Sequence, residues 1–382
     1  MSFYLLGYLA ILYIAILRFF ALRQDLPLTL FLYVFIGILG GIRFETGMDW
    51  PQYAGYFESI SVEQGPFTSY AENNYRLAFE FGYFLLNYTI KYLGGELTSV
   101  FMVASVFCAL STYLIASTFS GNRVFIFVIY VSYNFIYMHF STVRQSIAVG
   151  LFLLGLWAYL KLSNKKLMTL FFALSICFQI SALLYIFIFT ISLFTRNTLR
   201  YITLWAIGVI GVFIAMRLGS NFYQLLSQIL PSSFAAKLME YSGWDYQLSI
   251  RTYLFGFYIA GCALSLAWLE LKEKRQPNFL PYTRKERLPL SLAVTSLMLS
   301  ATFILLFPNN FALWTRTFNV ASILFACVLS GFYYSTVRNY KPLFLAHLLV
   351  AAVAFAVSLN GAAEAMIPYK TIFDSQPTGL SG

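Results

Sequence analysis

Arginines at the edges of apolar runs are the residues of this chain best suited to chemistry. Arg43, Arg144, Arg251 and Arg316 each adjoin a long apolar stretch. A guanidinium keeps its charge where polarity is low, and its planar fork grips phosphate oxygens two at a time, so it suits a buried pyrophosphate better than lysine does. The competing reading is that each arginine snorkels toward lipid headgroups or pairs with a nearby acid. Two carboxylates stand close by in sequence. Asp49 follows Arg43 directly after an apolar run, and Glu80 heads a short apolar segment. They either serve as a general base or orient substrate hydroxyls, or they simply pair with Arg43 and Arg76.

Other reactive side chains are few. His139 precedes Arg144 in an expected turn, where an exposed imidazole would titrate near neutrality, whereas His347 lies in an apolar run and reads as packed. Neither has a partner at metal-ligand spacing. Cys108, Cys177, Cys262 and Cys327 sit singly inside apolar runs and read as core residues. No metal and no cofactor is expected. With 28 tyrosines and 40 phenylalanines, the plain reading of the aromatics is interfacial belts and helix packing. A subset, Trp50, Tyr53, Tyr56, Trp244 and Tyr246, has the rings to stack on sugars.

These groups need a scaffold, and composition narrows its kind. The chain of 382 residues is 60% hydrophobic and 10% charged, with a mean hydropathy of +0.73, whereas soluble domains carry about 25% charged residues. Runs such as Leu97–Thr118 and Arg251–Leu271 match the ~20 residues that cross a bilayer core. Near-continuous apolar runs favour helices over the alternating pattern of a barrel. The expected fold is therefore all-α, a polytopic membrane domain over residues 1–382 with about 11–12 membrane segments. Tyr4–Phe20 lacks the basic start and small-residue cleavage site of a signal peptide, so it is expected to be retained as the first span. The net charge of +10 does not indicate nucleic acid, because the basic residues cluster in short connectors, as in cytoplasmic loops.

Charge also sets the orientation. Arg18 and Arg23, Lys161 with Lys165 and Lys166, Arg196 with Arg200, and above all the basic loop 272–287 are expected inside. The segment 43–97 is then an external loop, rich in acids and carrying an interfacial or re-entrant helix over Phe79–Leu93. A second external loop covers 217–250, and the tail after Asn360 is expected to be polar and mobile. Basic residues flank Leu167–Thr195 on both sides, which a single crossing cannot satisfy. The stretch must be two half-length helices that turn near Gln179 and Ser181, and broken helices are tolerated only where they line a cavity or are buried in protein. No halving of the chain speaks for the repeat-built transporters.

Arg43, Gly47, Asp49 and Tyr53, then Glu80, Gly82, Tyr83 and Asn87, then Arg144, Gln145 and Ala148, then Ser181, Ala182 and Leu183 follow in an order and spacing that resembles the EpsG branch of the Wzy-type polysaccharide polymerases. The likeness covers the first half of the chain, and Arg316 at the head of a late helix continues it. Gln179 stands where that family commonly has histidine. The resemblance implies a GT-C-like membrane glycosyltransferase of the bacterial inner membrane. Its substrate would be a polyprenyl-pyrophosphate-linked oligosaccharide, met on the outer face, with a chain-length regulator and a flippase as partners and no nucleotide sugar. In that scheme Arg144 and Arg316 hold the departing pyrophosphate and Asp49 and Glu80 handle the acceptor, all four being catalytic. Arg43, Tyr53, Gln145, Gln179, Ser181 and Arg251 line the substrate site. A flippase for the same lipid-linked oligosaccharide, an O-antigen ligase and an O-acyltransferase are the alternatives.

Overall fold

The computed structural model describes residues 7–9, 11–13, 16, 26–73, 75, 79–119, 121–194, 250–275, 287–306, 311–336, 341–362 and 369–371. Most of the expected first span, Arg76, the expected span Tyr201–Met216, nearly all of the loop 217–250 with Trp244 and Tyr246, and residues 276–286 lie outside the described residues. What is described is all-helical. In chain order the helices are α1 (Leu26–Gly41), α2 (Trp50–Ser59), α3 (Pro66–Glu72), α4 (Phe81–Tyr92), α5 (Leu97–Ala116), α6 (Arg123–Asn134), α7 (Val143–Leu160), α8 (Lys165–Phe178), α9 (Ala182–Phe194), α10 (Ile250–Arg275), α11 (Arg287–Leu306), α12 (Phe311–Thr336) and α13 (Lys341–Gly361). A π-turn over Phe135–His139 continues α6. Among the described residues the extended structure is one isolated antiparallel bridge, Arg43 with Thr371.

The described residues fall into two compact units, one within Met1–Ile186 and Ala326–Gly382, the other within Phe187–Phe325. In the first, α1 lies on α5, α5 on α7, α7 on α8 and α13 on α6. In the second, α10 packs on α11, Phe255 meets Phe318 edge to face, and Ser300 donates to Thr317 at 2.7 Å. Two helices, α5 and α7, are long and apolar enough to cross a bilayer, and shorter apolar helices include Pro27–Gly41, Leu288–Ile304 and Thr315–Gly331.

Local sequence explains where the helices begin and end. Asn122 and Asn164 cap α6 and α8, accepting the amides of Phe125 (3.1 Å) and Leu167 (3.0 Å). The loop 43–97 holds not one helix but three, because Pro51 and Pro66 open α2 and α3. A proline in the first turn costs no hydrogen bond and presets φ. These two short helices carry too little apolar periodicity to be read from sequence. Lys91 then donates to the carbonyls of Phe57, Glu58 and Ile60 at 2.7–2.9 Å, placing a cation where the end of α2 exposes its carbonyls.

Several expectations change. The helix expected to start at Arg316 starts at Phe311, five residues earlier. The helix α10 continues through Lys272, Lys274 and Arg275, so the basic connector begins on a helix end, where the dipole favours cations. Cys177 is exposed, unlike the buried Cys108, Cys262 and Cys327. His139 is not in an open turn. It is buried in the π-turn, with Ser105 Oγ on Nδ1 (2.6 Å) and the Tyr130 hydroxyl on Nε2 (2.5 Å). The expected mobile tail is helical to Gly361, and Tyr369–Thr371 lies against residues 43–46.

Close approach of α1 and α5 depends on glycine. Gly37 and Gly41 share one helix face, and a Cβ there would stand 2.9 Å from Val106 Cα and 2.6 Å from Met102 Cα. This spacing lets backbones touch where water cannot drive association. Gly41→Leu is therefore expected to push the helices apart and cost about 1–3 kcal/mol or more. Thermal unfolding in detergent measures it, and an unchanged melting temperature would refute the contact.

Candidate active site

The break expected in Leu167–Thr195 is present. Helix α8 ends at Phe178, Gln179 is extended (φ −157°, ψ 116°), and α9 starts at Ala182. The amides of Ala182, Leu183 and Leu184 find Gln179, Ile180 and Ser181 carbonyls at 2.9–3.1 Å. The break leaves the amide of Ile180 without its helical acceptor. Glu80 supplies one, with Oε1 3.1 Å from that nitrogen. The other oxygen, Oε2, accepts from Arg144 Nη1 at 2.7 Å. One carboxylate thus joins the start of α4, the start of α7 and the gap between α8 and α9. Both of its oxygens are occupied.

Gly82 makes this junction possible. A Cβ at that position would stand 2.7 Å from the Cys177 carbonyl oxygen, so only glycine lets α4 reach the end of α8 beside the break. Next to Arg144, Gln145 donates to the Tyr185 hydroxyl on α9 at 3.1 Å, a second tie across the gap. Gln179 is buried, and Ser181 Oγ is buried without a hydrogen-bond partner.

Both arginines rest on aromatic rings. Arg144 Cζ lies 4.4 Å from the centre of Phe79, and Arg43 Cζ lies 4.1 Å from Phe101 and 5.7 Å from Phe140. Such contacts suit a delocalised cation that has left water. Arg43 is fully buried, and its Nη1 donates to the Thr46 carbonyl at 3.3 Å, whereas Nε and Nη2 have no hydrogen-bond partner. Burial pulls its guanidinium down to about 10, while Tyr53, Tyr83, Asp49 and Tyr369 pull the other way. Tyr53 interacts with Arg144 as well as Arg43, and burial raises its own hydroxyl. Tyr53 and Tyr83 therefore link the two cations.

Gly47 shapes the Arg43 loop. It has φ +115°, and a Cβ there would fall 1.9 Å from the Phe140 carbonyl oxygen and 2.5 Å from Arg43 Nη1. The structure thus brings Arg43, Asp49, Tyr53, Glu80, Arg144, Gln145, Gln179 and Ser181 into the first unit. Arg251 and Arg316 belong to the second. Arg251 is the second residue of α10, and Arg316 is half-buried in the second turn of α12, between buried Thr315 and Thr317.

A family model described as the EpsG family matches residues 27–371, nearly the whole chain. The chain belongs to the EpsG family. No curated protein and no solved structure matches it. Membership places this EpsG-family chain in polysaccharide polymerisation as a general role and, with its apolar helices, points to a membrane protein. Sequence reasoning about this EpsG member missed the aromatic floors Phe79, Phe101 and Phe140, and Thr46 and Tyr369, because nothing in their spacing marks which ring a cation meets. Gly47, Gly82 and Tyr83 were in the resemblance motifs, and their steric and electrostatic roles emerge only from the packing.

Removing the Glu80 carboxylate strands a half-buried cation and an amide together. Glu80→Ala is expected to destabilise by about 1.5–3 kcal/mol, the range for hydrogen bonds to charged groups. Glu80→Gln keeps an acceptor for Ile180 and should cost less. Thermal unfolding of both variants checks this, and equal losses would remove the Ile180 bond from the account.

Proposed function

We propose that the chain is a polysaccharide polymerase that moves a growing glycan from polyprenyl pyrophosphate to the terminal sugar of a lipid-linked repeat unit. It is taken as a multi-pass protein of the bacterial inner membrane with this site on the outer face. The supporting facts are the composition, the basic connectors and the apolar helices α5 and α7. One observation carries the substrate reading: Arg43 is a fully buried cation with two guanidinium nitrogens unpartnered. A buried charge persists at such cost only when something compensates it. Other orphaned atoms of this unit include the donor Trp50 Nε1 and the hydroxyls of Tyr56 and Tyr83, with the Asn87 amide oxygen as an acceptor. The unpartnered guanidinium nitrogens suit a ligand rich in acceptor oxygens, as a pyrophosphate is.

In the proposed reaction the acceptor hydroxyl oxygen bonds to the anomeric carbon as the bond from that carbon to the pyrophosphate oxygen breaks. The electron pair leaves with the pyrophosphate, where Arg43 and Arg144 stabilise it. The acceptor proton passes to a base. Asp49 is the better candidate, because Glu80 spends both oxygens on Arg144 and Ile180. Glu80 then orients Arg144. Tyr53 and Tyr56, expected as rings for sugars, are buried against Phe79 and Tyr83, so of the three only the half-buried Trp50 keeps that role. The assignments of Arg251 and Arg316 rest on their places at the starts of apolar runs and, for Arg316, on the resemblance.

Purified protein supplied with a lipid-pyrophosphate repeat unit is expected to yield a ladder of products. Arg144→Lys should lose a hundredfold or more in rate, about 2.7–4 kcal/mol, because a lysine keeps the charge and loses the fork. A wild-type ladder from that variant would overturn the phosphate assignment. Translocation of the intact lipid without a ladder would favour the flippase.

A further inference from the structure

The loop that carries Arg43 is held by two neighbours. Glu45, with φ +45°, has a left-handed conformation that side-chain-bearing residues rarely adopt, whereas glycine takes the φ of +115° at position 47 freely. On one side the neighbour is Phe140, whose carbonyl oxygen meets Gly47 too closely for any other residue. On the other side it is a segment more than 300 residues away in sequence, as the separation of 324 between Thr46 and Lys370 shows. The amide of Phe44 donates to the Lys370 carbonyl at 2.9 Å, and the amide of Lys370 donates to Thr46 Oγ1 at 3.2 Å. Thr46 Oγ1, fully buried, donates to the Phe44 carbonyl at 2.8 Å. Arg43 bridges to Thr371. The Tyr369 hydroxyl donates to the Leu39 carbonyl at 2.5 Å, near the end of α1, and its ring packs edge-on to Phe140 at 5.8 Å. Phe140 is also a floor for the Arg43 guanidinium.

We propose that Tyr369–Thr371 is a positioning strap, which holds the Arg43 loop against Phe140 so that the guanidinium presents its unpartnered nitrogens in one orientation. The role rests on the polymerase reading for its effect on rate, but its mechanical part stands apart from it. The strap makes its contacts through its backbone and the Tyr369 side chain. The Lys370 ammonium reaches Glu45 at 2.8 Å, yet both side chains are nearly half exposed, and surface pairs of that kind contribute little. The family match, which ends at residue 371, includes the strap and stops with it.

The test compares wild type, Lys370→Ala, Lys370→Pro and Thr46→Val of the full chain in detergent, and then Arg43→Lys with and without Lys370→Pro. Proline removes the amide that reaches Thr46, and valine keeps the shape of threonine without its oxygen. Hydrogen exchange at Phe44 is expected to quicken at least ~10-fold in Lys370→Pro and Thr46→Val, and to stay at the wild-type rate in Lys370→Ala. Glycan polymerisation should fall in the same two variants. In an Arg43→Lys background, Lys370→Pro should cause little further loss, because a strap that acts through Arg43 has nothing left to position. Unchanged exchange in both altered variants overturns the strap, and fully additive losses with Arg43→Lys overturn its action through that arginine. If Lys370→Pro fails to fold, Thr46→Val alone decides. A wild-type protein that makes no ladder overturns the polymerase reading, and the exchange rates then judge the strap by themselves.

Discussion

Much of the first compact unit turns on the two hydrogen bonds of one carboxylate. A helix interrupted within an apolar stretch exposes backbone amides that have nowhere to go, and in hydrocarbon each would cost several kcal/mol. Glu80 accepts the amide of Ile180 at the break and, with its second oxygen, the guanidinium of Arg144. The same group therefore makes the interruption tolerable and fixes the direction of a cation at the head of α7. If the break were healed into one straight helix, the Ile180 amide would turn to its helical acceptor and Glu80 would lose its tie to the α8–α9 gap. Structure at this point is a consequence of satisfying charge and backbone together.

The second constraint is steric. Three features of the site depend on a missing Cβ: α1 touches α5 at Gly37 and Gly41, the Arg43 loop touches Phe140 at Gly47, and α4 touches the end of α8 at Gly82. Each contact brings a polar group to a place that a larger residue would have kept apart. Gly82 sits two residues from Glu80, so the freedom of approach and the carboxylate that uses it travel on one short segment. Gly47 likewise lies between Arg43 and Asp49.

Aromatic rings do for the arginines what water does elsewhere. Arg43 and Arg144 lie on Phe101 and Phe79 at 4.1 and 4.4 Å, and a ring face offers a cation some of the stabilisation that desolvation removes. It does not use the guanidinium's hydrogen-bond directions. At Arg43, Nε and Nη2 stay available to a ligand, which is why a cation held by π-faces and a single carbonyl is better prepared for an anion than one enclosed by carboxylates. Lysine, a compact and strongly hydrated ammonium, gains less from such a floor.

The sequence alone determined the helical class, the break near Gln179 and the family, each for a reason that acts locally. Long apolar runs allow few backbone solutions, basic residues on both sides of Leu167–Thr195 spoke against one continuous helix, and short motifs in a fixed order mark kinship. It also named most of the polar residues that meet in the first unit. What it could not supply was their pairing. One of two readings paired Glu80 with Arg43 or Arg76, His139 was expected in an open turn and the tail loose, whereas folding gave Glu80 to Arg144, closed His139 between two hydroxyls and brought Tyr369–Thr371 onto residues 43–46. Pairing is a three-dimensional matter. A carboxylate is drawn to whichever cation or amide the packing leaves nearest, and residues separated by hundreds of positions become neighbours only after glycine-mediated contacts have set the distances between helices.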